Sequence, residues 1–307
     1  MPGQMPILPS WRPGPARDSI VDFLAASAEV RPEQRLAVFD NDGTLWCEKP
    51  RYPQLDFLIW QLRRSVAQQP DLNDVPEYAL VLAGDQAAMA ELGLERVALA
   101  LLRLFEDIEP EVFEERVRTF FAETRHPDHD RRYDQMVYQP MLELLAALES
   151  HGFSNSIVSG GGTEFVRAIS PRVYGIPPER VVGTLVTYAL VEKGGRPLLL
   201  RTAEVEGKLN EGGAKIENIQ TMLGRRPLLA AGNSPGDADM LEYTNSRGSE
   251  LPSLALLVNH DDDRREYAYE SVAGSFESPE SIGDTAARLG WTQISMKDDW
   301  ATIFPGP

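Results

Sequence analysis

Two aspartates one residue apart, Asp40 and Asp42, directly follow the apolar run Leu36-Ala37-Val38-Phe39, and their type and spacing suit covalent chemistry. A carboxylate can attack phosphorus and hold it as an acyl phosphate, replacing one difficult displacement with two easier ones. Asp40 is placed for that role. Two positions on in an extended stretch, Asp42 projects to the same side, where it can protonate the leaving oxygen and later deprotonate the attacking water. Gly43 allows the tight turn away, and Thr44 adds a hydroxyl for a phosphate oxygen.

Two further clusters repeat the arrangement. Ser159 and Gly160 follow Ser156-Ile157-Val158, and Asn233 and Asp237 follow Pro227-Leu228-Leu229-Ala230-Ala231. The Ser159 hydroxyl and the Gly160 amide are neutral donors for phosphoryl oxygens, and a lysine would supply the positive charge that the transition state needs. Lys215, at the start of an expected helix over 213–223, is assigned that part, whereas Lys208 falls in an expected loop. Carboxylates converging on one point repel each other unless a cation lies among them, and oxygen donors select a hard ion such as Mg²⁺. Asp40, the Asp42 backbone carbonyl and Asp237 are the expected ligands.

Such clusters converge when they lie past the C-terminal edges of neighbouring parallel strands, so the chain is expected to build an α/β core around a mainly parallel sheet. After a Pro-rich start expected to be loose and a helix within 18–29, the first strand is Leu36 to Phe39. From about residue 49 to 134 the apolar pattern turns almost wholly helical, with segments at 55–69, 86–94, 94–106 and 111–124. This reads as an inserted helical cap, 49–134, within a core of 17–48 and 135–307. The core resumes with a helix at 141–150, the strand at 156–158 and a helix at 163–169. Val181 to Val191 and Pro197 to Thr202 flank Lys193-Gly194-Gly195 as a hairpin, and Ser253 to Val258 is a further strand.

The 307 residues suffice for a substantial core, and 42% hydrophobic with 25% charged residues is ordinary soluble usage. Lysine plus arginine number 30 against 47 acidic residues, and the net charge of −17 opposes binding to nucleic acid. The single cysteine, Cys47, makes no internal disulfide. The start lacks a basic head before an apolar stretch, and no run of about 18 apolar residues suits a membrane. A cytoplasmic protein is expected, with a small-molecule partner and no membrane partner; its oligomeric state is not written in the sequence.

The string FDNDGTLW resembles the first signature of the haloacid dehalogenase (HAD) superfamily, SGGG at Ser159 the second, Lys215 suits the third, and GNSPGDADM resembles the fourth. All occur in the expected order, with the helical segment where this superfamily accepts a cap. The resemblance is to the phosphoserine-phosphatase-like group and implies a Rossmann-like core under a helical-bundle cap. It also implies a Mg²⁺-dependent phosphatase acting on a small phosphomonoester through an aspartyl phosphate. Asp42 points to phosphate chemistry, because the superfamily's dehalogenases lack that second aspartate. Asn233 departs from the pattern, standing where many relatives have an aspartate, and offers the metal a carbonyl oxygen without charge. Glu48 is offset by one residue from the glutamate that reads substrate in phosphoserine phosphatases, and is a candidate substrate-facing or cap-hinge residue. The same aspartyl phosphate would serve a phosphomutase or phosphotransferase, and a weakly active phosphate sensor is a third reading.

Other residues read more plainly. His126-Pro127-Asp128-His129-Asp130 lacks a helical ligand spacing, and Cys47 reads as packing. Trp46, Tyr52, Phe57 and Trp60 suit either a pocket wall or the core. Asp237 alone would suit a cap for a helix near Ala238.

Overall fold

The computed structural model describes residues 7–248 and 250–306. Seven strands form one sheet: β1 (Leu36–Phe39), β2 (Ser154–Gly162), β3 (Val181–Lys193), β4 (Arg196–Glu206), β5 (Leu229–Gly232), β6 (Leu254–Asn259) and β7 (Thr292–Ser295). Their order is β4-β3-β2-β1-β5-β6-β7, and every pairing is parallel except the β3–β4 hairpin. The chain runs outward from β1 on one side through β2 and β3, and on the other through β5 to β7. The switch point of this mainly parallel α/β sheet therefore lies between β1 and β5, where the C-terminal strand ends open a crevice.

The helices are α1 (Pro15–Ala26), α2 (Pro53–Gln68), α3 (Pro76–Ala83), α4 (Gln86–Leu92), α5 (Leu94–Arg103) and α6 (Pro110–Glu123). They continue with α7 (Gln139–Ser150), α8 (Thr163–Tyr174), α9 (Gly213–Leu223), α10 (Ala238–Asn245) and α11 (Ile282–Leu289). Proline opens α2, α3 and α6, where a missing N–H costs nothing and the fixed φ suits the first turn. Six of these helices, α2 to α7, lie between β1 and β2.

All four residues of β1 are buried, as in a strand covered on both faces. Alternation sorts them: Ala37 and Phe39 join one apolar cluster with residues of α1, α6, α7 and α8, while Leu36 and Val38 join another with residues of α9, α10 and α11. The inserted helices are divided between two cores. Leu62, Tyr78, Val81, Val97, Ala100 and Leu101 pack among themselves, whereas Phe57 of α2 and Phe113, Val117, Phe120 and Phe121 of α6 join the main core beside Phe165 of α8.

Several expectations change in detail. The strand expected at 156–158 runs on through the three glycines, because Gly162 pairs with Thr184 of β3. The helix expected at 163–169 extends to Tyr174 with Pro171 inside it, and ends on Gly175 at a φ of 69°. The hairpin exists, but the start of β3 is also the strand next to β2. The Pro-rich start is not loose where it is described: Leu8 and Trp11 are buried, and Trp11 donates Nε1–H to the Pro140 carbonyl at 3.0 Å. Residues 1–6 of that start lie outside the described residues. Among the described residues no helix is long and apolar enough to cross a membrane.

Candidate active site

β1 and β5 end side by side, since Phe39 is in register with Ala231 and the Asp40 amide bonds the Ala231 carbonyl at 2.9 Å. Asp40 thus leaves the sheet at the switch point, facing the loop that follows β5. The first turns of α9 bring Lys215 to the same place. Its ammonium, 2% exposed, donates to Asp40 Oδ1 at 2.7 Å, to Asp237 Oδ1 at 2.6 Å and to the Val158 carbonyl at 2.9 Å. One cation therefore joins the ends of β1, β2 and β5.

Asp237 is fixed by its own loop. Its Oδ2 accepts the amides of Asn233 and Ser234, both at 3.0 Å, and the Ser234 hydroxyl at 3.1 Å. The side chain turns back on this loop and makes no bond capping α10. Gly232 permits the close return, since a Cβ there would lie 2.5 Å from the Asp237 Cβ.

The loop after β1 is braced as firmly. Gly43 has a φ of +75°, and a Cβ on it would lie 2.1 Å from Asn233 Nδ2, so both the backbone angle and the space require glycine. Thr44 is fully buried and donates its hydroxyl to Asn233 Oδ1 at 3.1 Å, tying the two loops together. Asn233 Nδ2 donates to Ser271 Oγ at 3.2 Å. The Gly43 carbonyl lies 2.8 Å from His260 Nε2, and His260 Nδ1 lies 3.2 Å from Glu266. Asp42 Oδ1 accepts the Trp46 indole N–H at 2.8 Å.

From β2, Ser159 is fully buried, and its Oγ accepts the Gly161 amide at 3.0 Å. Gln54 of α2 reaches across, its Oε1 accepting the Gly162 amide at 2.8 Å. Asn210, fully buried, donates to the Ser159 and Val182 carbonyls at 2.9 and 3.3 Å and so holds β2 and β3 at this edge. A cleft of about 280 Å³ opens over these loops, and Asp40, Asp42, Glu48, Gly160 and Lys215 line it. Ser159, Thr44, Asn233 and Asp237 stand behind that lining.

Sequence reasoning missed Gln54, Ser234 and Glu211 on the cleft wall, and the His260–Glu266 pair behind it. Glu211 accepts from the Gly274 amide at 3.2 Å and from the Ser275 hydroxyl, drawing the loop after β6 over the site. No local pattern marks these residues; only the strand-end position of Ser234, one past Asn233, was a usable signal.

Charge is unbalanced here. Burial raises the Asp40 pKa well above its ordinary value, and the neighbouring Asp237 raises it further against the pull of Lys215. Burial also lifts Asp42 to about 6, with Glu48 adding to the effect and the Trp46 bond opposing it. Glu48 is raised by burial, offset in part by Lys49. Burial alone would lower Lys215, but Asp237 and Asp40 hold it above its ordinary value. Glu48 has Lys49 at 3.8 Å, but Asp40, Asp42 and Asp237 have only the Lys215 ammonium among them, a donor set of hard oxygens with too little positive charge. By charge and donor type the site fits a hard divalent cation such as Mg²⁺. Among the described residues, no group of three or more His, Cys, Asp or Glu side chains is arranged to hold a metal by itself, so backbone and amide oxygens would have to complete such a site.

Cys47 and the His126 segment, weighed in the sequence, also fall outside the cleft lining. Cys47 is buried, its Sγ donates to Glu266 at 3.0 Å, and burial and that carboxylate push its thiol up, so it is inert. His126 lies 2.6 Å from the Lys49 carbonyl through Nε2 and packs against His129 at 5.0 Å between ring centres. Of the aromatic candidates, Tyr52 lines the cleft, while Trp46 and Phe57 are buried in the main core.

Residues 37–242 match the model of the haloacid dehalogenase-like hydrolases. No curated protein sequence matches the chain. A protein of unknown function from Bordetella pertussis Tohama I has a similar structure, with a TM-score of 0.49 at 17% identity over 85% of this chain and 98% of its own. A phosphoserine phosphohydrolase-like protein from Francisella tularensis subsp. tularensis SCHU S4 gives 0.37 at 16% identity, over 83% and 99%. A probable phosphoserine phosphatase from Vibrio cholerae gives 0.39 at 14% identity, over 86% and 67%.

Proposed function

The chain belongs to the haloacid dehalogenase-like hydrolases, and from that premise we propose that it is a Mg²⁺-dependent phosphatase acting on a small-molecule phosphomonoester through an aspartyl phosphate. One observation carries the reading. A buried lysine bridges Asp40 and Asp237 at the switch point, and a third carboxylate, Asp42, lines the same cleft with a pKa of about 6.

In the first step an Asp40 oxygen attacks phosphorus, and the bond from phosphorus to the ester oxygen breaks. Asp42 delivers its proton to that departing oxygen. A pKa near 6 suits this exchange, because the group is neither a strong acid nor a poor base near neutral pH. In the second step Asp42, now a carboxylate, takes a proton from water as the water attacks the acyl phosphate. Inorganic phosphate leaves and Asp40 is restored.

Lys215 steers the phosphoryl group toward Asp40 and offsets its charge, as do the Gly160 amide and the hydroxyl proton of Ser159, whose oxygen is held by Gly161. Thr44 and Asn233 act by bracing the two loops against each other. Asp40, the Asp42 carbonyl, Asp237 and Asn233 would hold Mg²⁺. When bound, the ion supplies positive charge that quiets the carboxylates and polarises a phosphoryl oxygen. Residues 49–134 serve as the cap over a core of 17–48 and 135–307, a division supported by the separate apolar cluster that α2, α3 and α5 form among themselves. Glu48 faces the substrate from the edge of the cleft.

The test is release of inorganic phosphate from a panel of phosphomonoesters, with Mg²⁺ or with chelator, by the native protein and by Asp40→Asn. Metal-dependent release that the variant loses supports the reading. Release that survives in Asp40→Asn, or none from any ester by folded protein with Mg²⁺, overturns it.

A further inference from the structure

A second cleft, about 630 Å³, opens directly beside the catalytic one. The two share Gln54, Leu55, Leu58, Gly160 and Gly161, so they are parts of one continuous space. Its volume is in the range of about 300–1,000 Å³ typical of sites for drug-sized ligands. Its walls come from α2 to α5 on one side and from α8 and the β3–β4 hairpin on the other. Leu58, Val97, Leu101, Phe105, Phe113 and Val186 give the lining its character.

The buried polar groups in this space are already committed, while Arg63 and Gln86 reach its lining from exposed positions. Arg201 is 2% exposed, pairs with Glu164 at 2.8 Å, donates to the Phe105 carbonyl at 2.9 Å, and lies 4.2 Å over the Phe113 ring. Its charge is matched by Glu164. Arg51 pairs with Asp56 at 2.7 Å, and the Thr184 hydroxyl donates to the Gly160 carbonyl at 2.8 Å. A sugar or an amino acid as leaving group needs several convergent donors and acceptors, since each polar group buried without a partner costs affinity. This cleft instead offers apolar carbon next to the ester-binding edge.

We infer that the substrate is the phosphate monoester of a bulky apolar alcohol, its phosphoryl group over Asp40 and its hydrocarbon in the cleft between α2–α5 and the β3–β4 hairpin. The inference rests on the phosphatase reading and narrows it to a substrate class. Gln54 sits at the junction, with its Oε1 held by the Gly162 amide and its amide nitrogen close to Gly162, at the point where the ester oxygen passes from one space to the other.

The experiment is a series of n-alkyl monophosphates from two to ten carbons, below their micellar concentrations, with phosphate release as the readout. In parallel, binding of the matching alkylphosphonates is measured by calorimetry on the native protein. Both kcat/KM and phosphonate affinity should rise about fourfold per methylene until the cleft is filled. Binding should also carry a negative heat-capacity change. Val186→Asp, which puts a charge in the cleft wall, should flatten both series. Release dependent on Asp40 with no rise along either series overturns the substrate class while leaving the phosphatase reading intact. No release dependent on Asp40 from any ester sinks the phosphatase reading itself and this inference with it. An unchanged rise in folded Val186→Asp means that the chain binds elsewhere, and also overturns the inference.

Discussion

Replacing Asp42 by Asn should stabilise the metal-free protein at neutral pH while removing the proton carrier proposed above. Burial is the main reason the Asp42 pKa stands at about 6 instead of the ordinary 3.8. The folded state therefore holds this proton more tightly than the unfolded chain does, so losing it weighs against the fold. That cost is absent well below pH 3.8, grows between 3.8 and about 6, and is complete above. At about 1.4 kcal/mol for each tenfold change in proton affinity, the ceiling is about 3 kcal/mol. Asp42 is only half-buried, so solvent screening brings the expected gain to about 1–2 kcal/mol. Asparagine carries no charge and keeps an oxygen to accept the Trp46 indole N–H. Urea unfolding with chelator at pH 7.5 and pH 4.5 measures the effect. The variant should exceed the native protein at pH 7.5 and lose most of that advantage at pH 4.5. A gain equal at both pH values, or a loss at pH 7.5, would refute the electrostatic argument.

On an alkyl phosphate the same Asp42→Asn change should cost about 10²–10⁴-fold in kcat, and much less on an aryl ester whose leaving group departs without a proton; equal losses would deny Asp42 its role. Lys215→Met leaves Asp40 and Asp237 facing each other without their shared cation, and a loss of about 3–5 kcal/mol in denaturant unfolding is expected; less than about 1 kcal/mol would mean that the pair is not a structural centre. Gly43→Ala forces a Cβ to within 2.1 Å of the Asn233 amide at a φ of +75°, so stability should fall by at least about 1–3 kcal/mol and phosphate release should collapse. Melting temperature and turnover, measured together, check both effects, and an alanine variant with native values would show that the turn can relax.

Much of the site was readable because its residues sit where a strand stops. The apolar runs before Asp40, Ser159 and Asn233 end in polar residues, and parallel pairing of β1 with β2 and β5 brings those ends together. Lys215 was preferable to Lys208 because the first turn of α9 points back toward the sheet edge. The glycines after Ser159 fell between the strand expected at 156–158 and the helix expected at 163–169 but continue β2, since what holds them extended is the distant Thr184 on β3. The helix α3 and the strand β7 were not anticipated. PEYALVLA is too uniformly apolar to show a face, and TQIS is short, with only Ile294 buried. Gln54, Glu211 and His260 reach the site through tertiary packing, from elements whose local sequence carries no mark of it.

The bracing of the Gly43 turn has a consequence for how the protein is made. Asp40, Asp42 and Lys215 all precede residue 242, where the family match ends. Yet the Gly43 carbonyl meets His260, and Asn233 meets Ser271. On the ribosome, a chain that has emerged through α10 carries Asp40, Asp42 and Lys215 but not the contacts from His260 and Ser271 that brace the Gly43 turn. The bracing of this acidic cleft is therefore completed late in synthesis, with the segment after β6, when most of the sheet stands ready to support it.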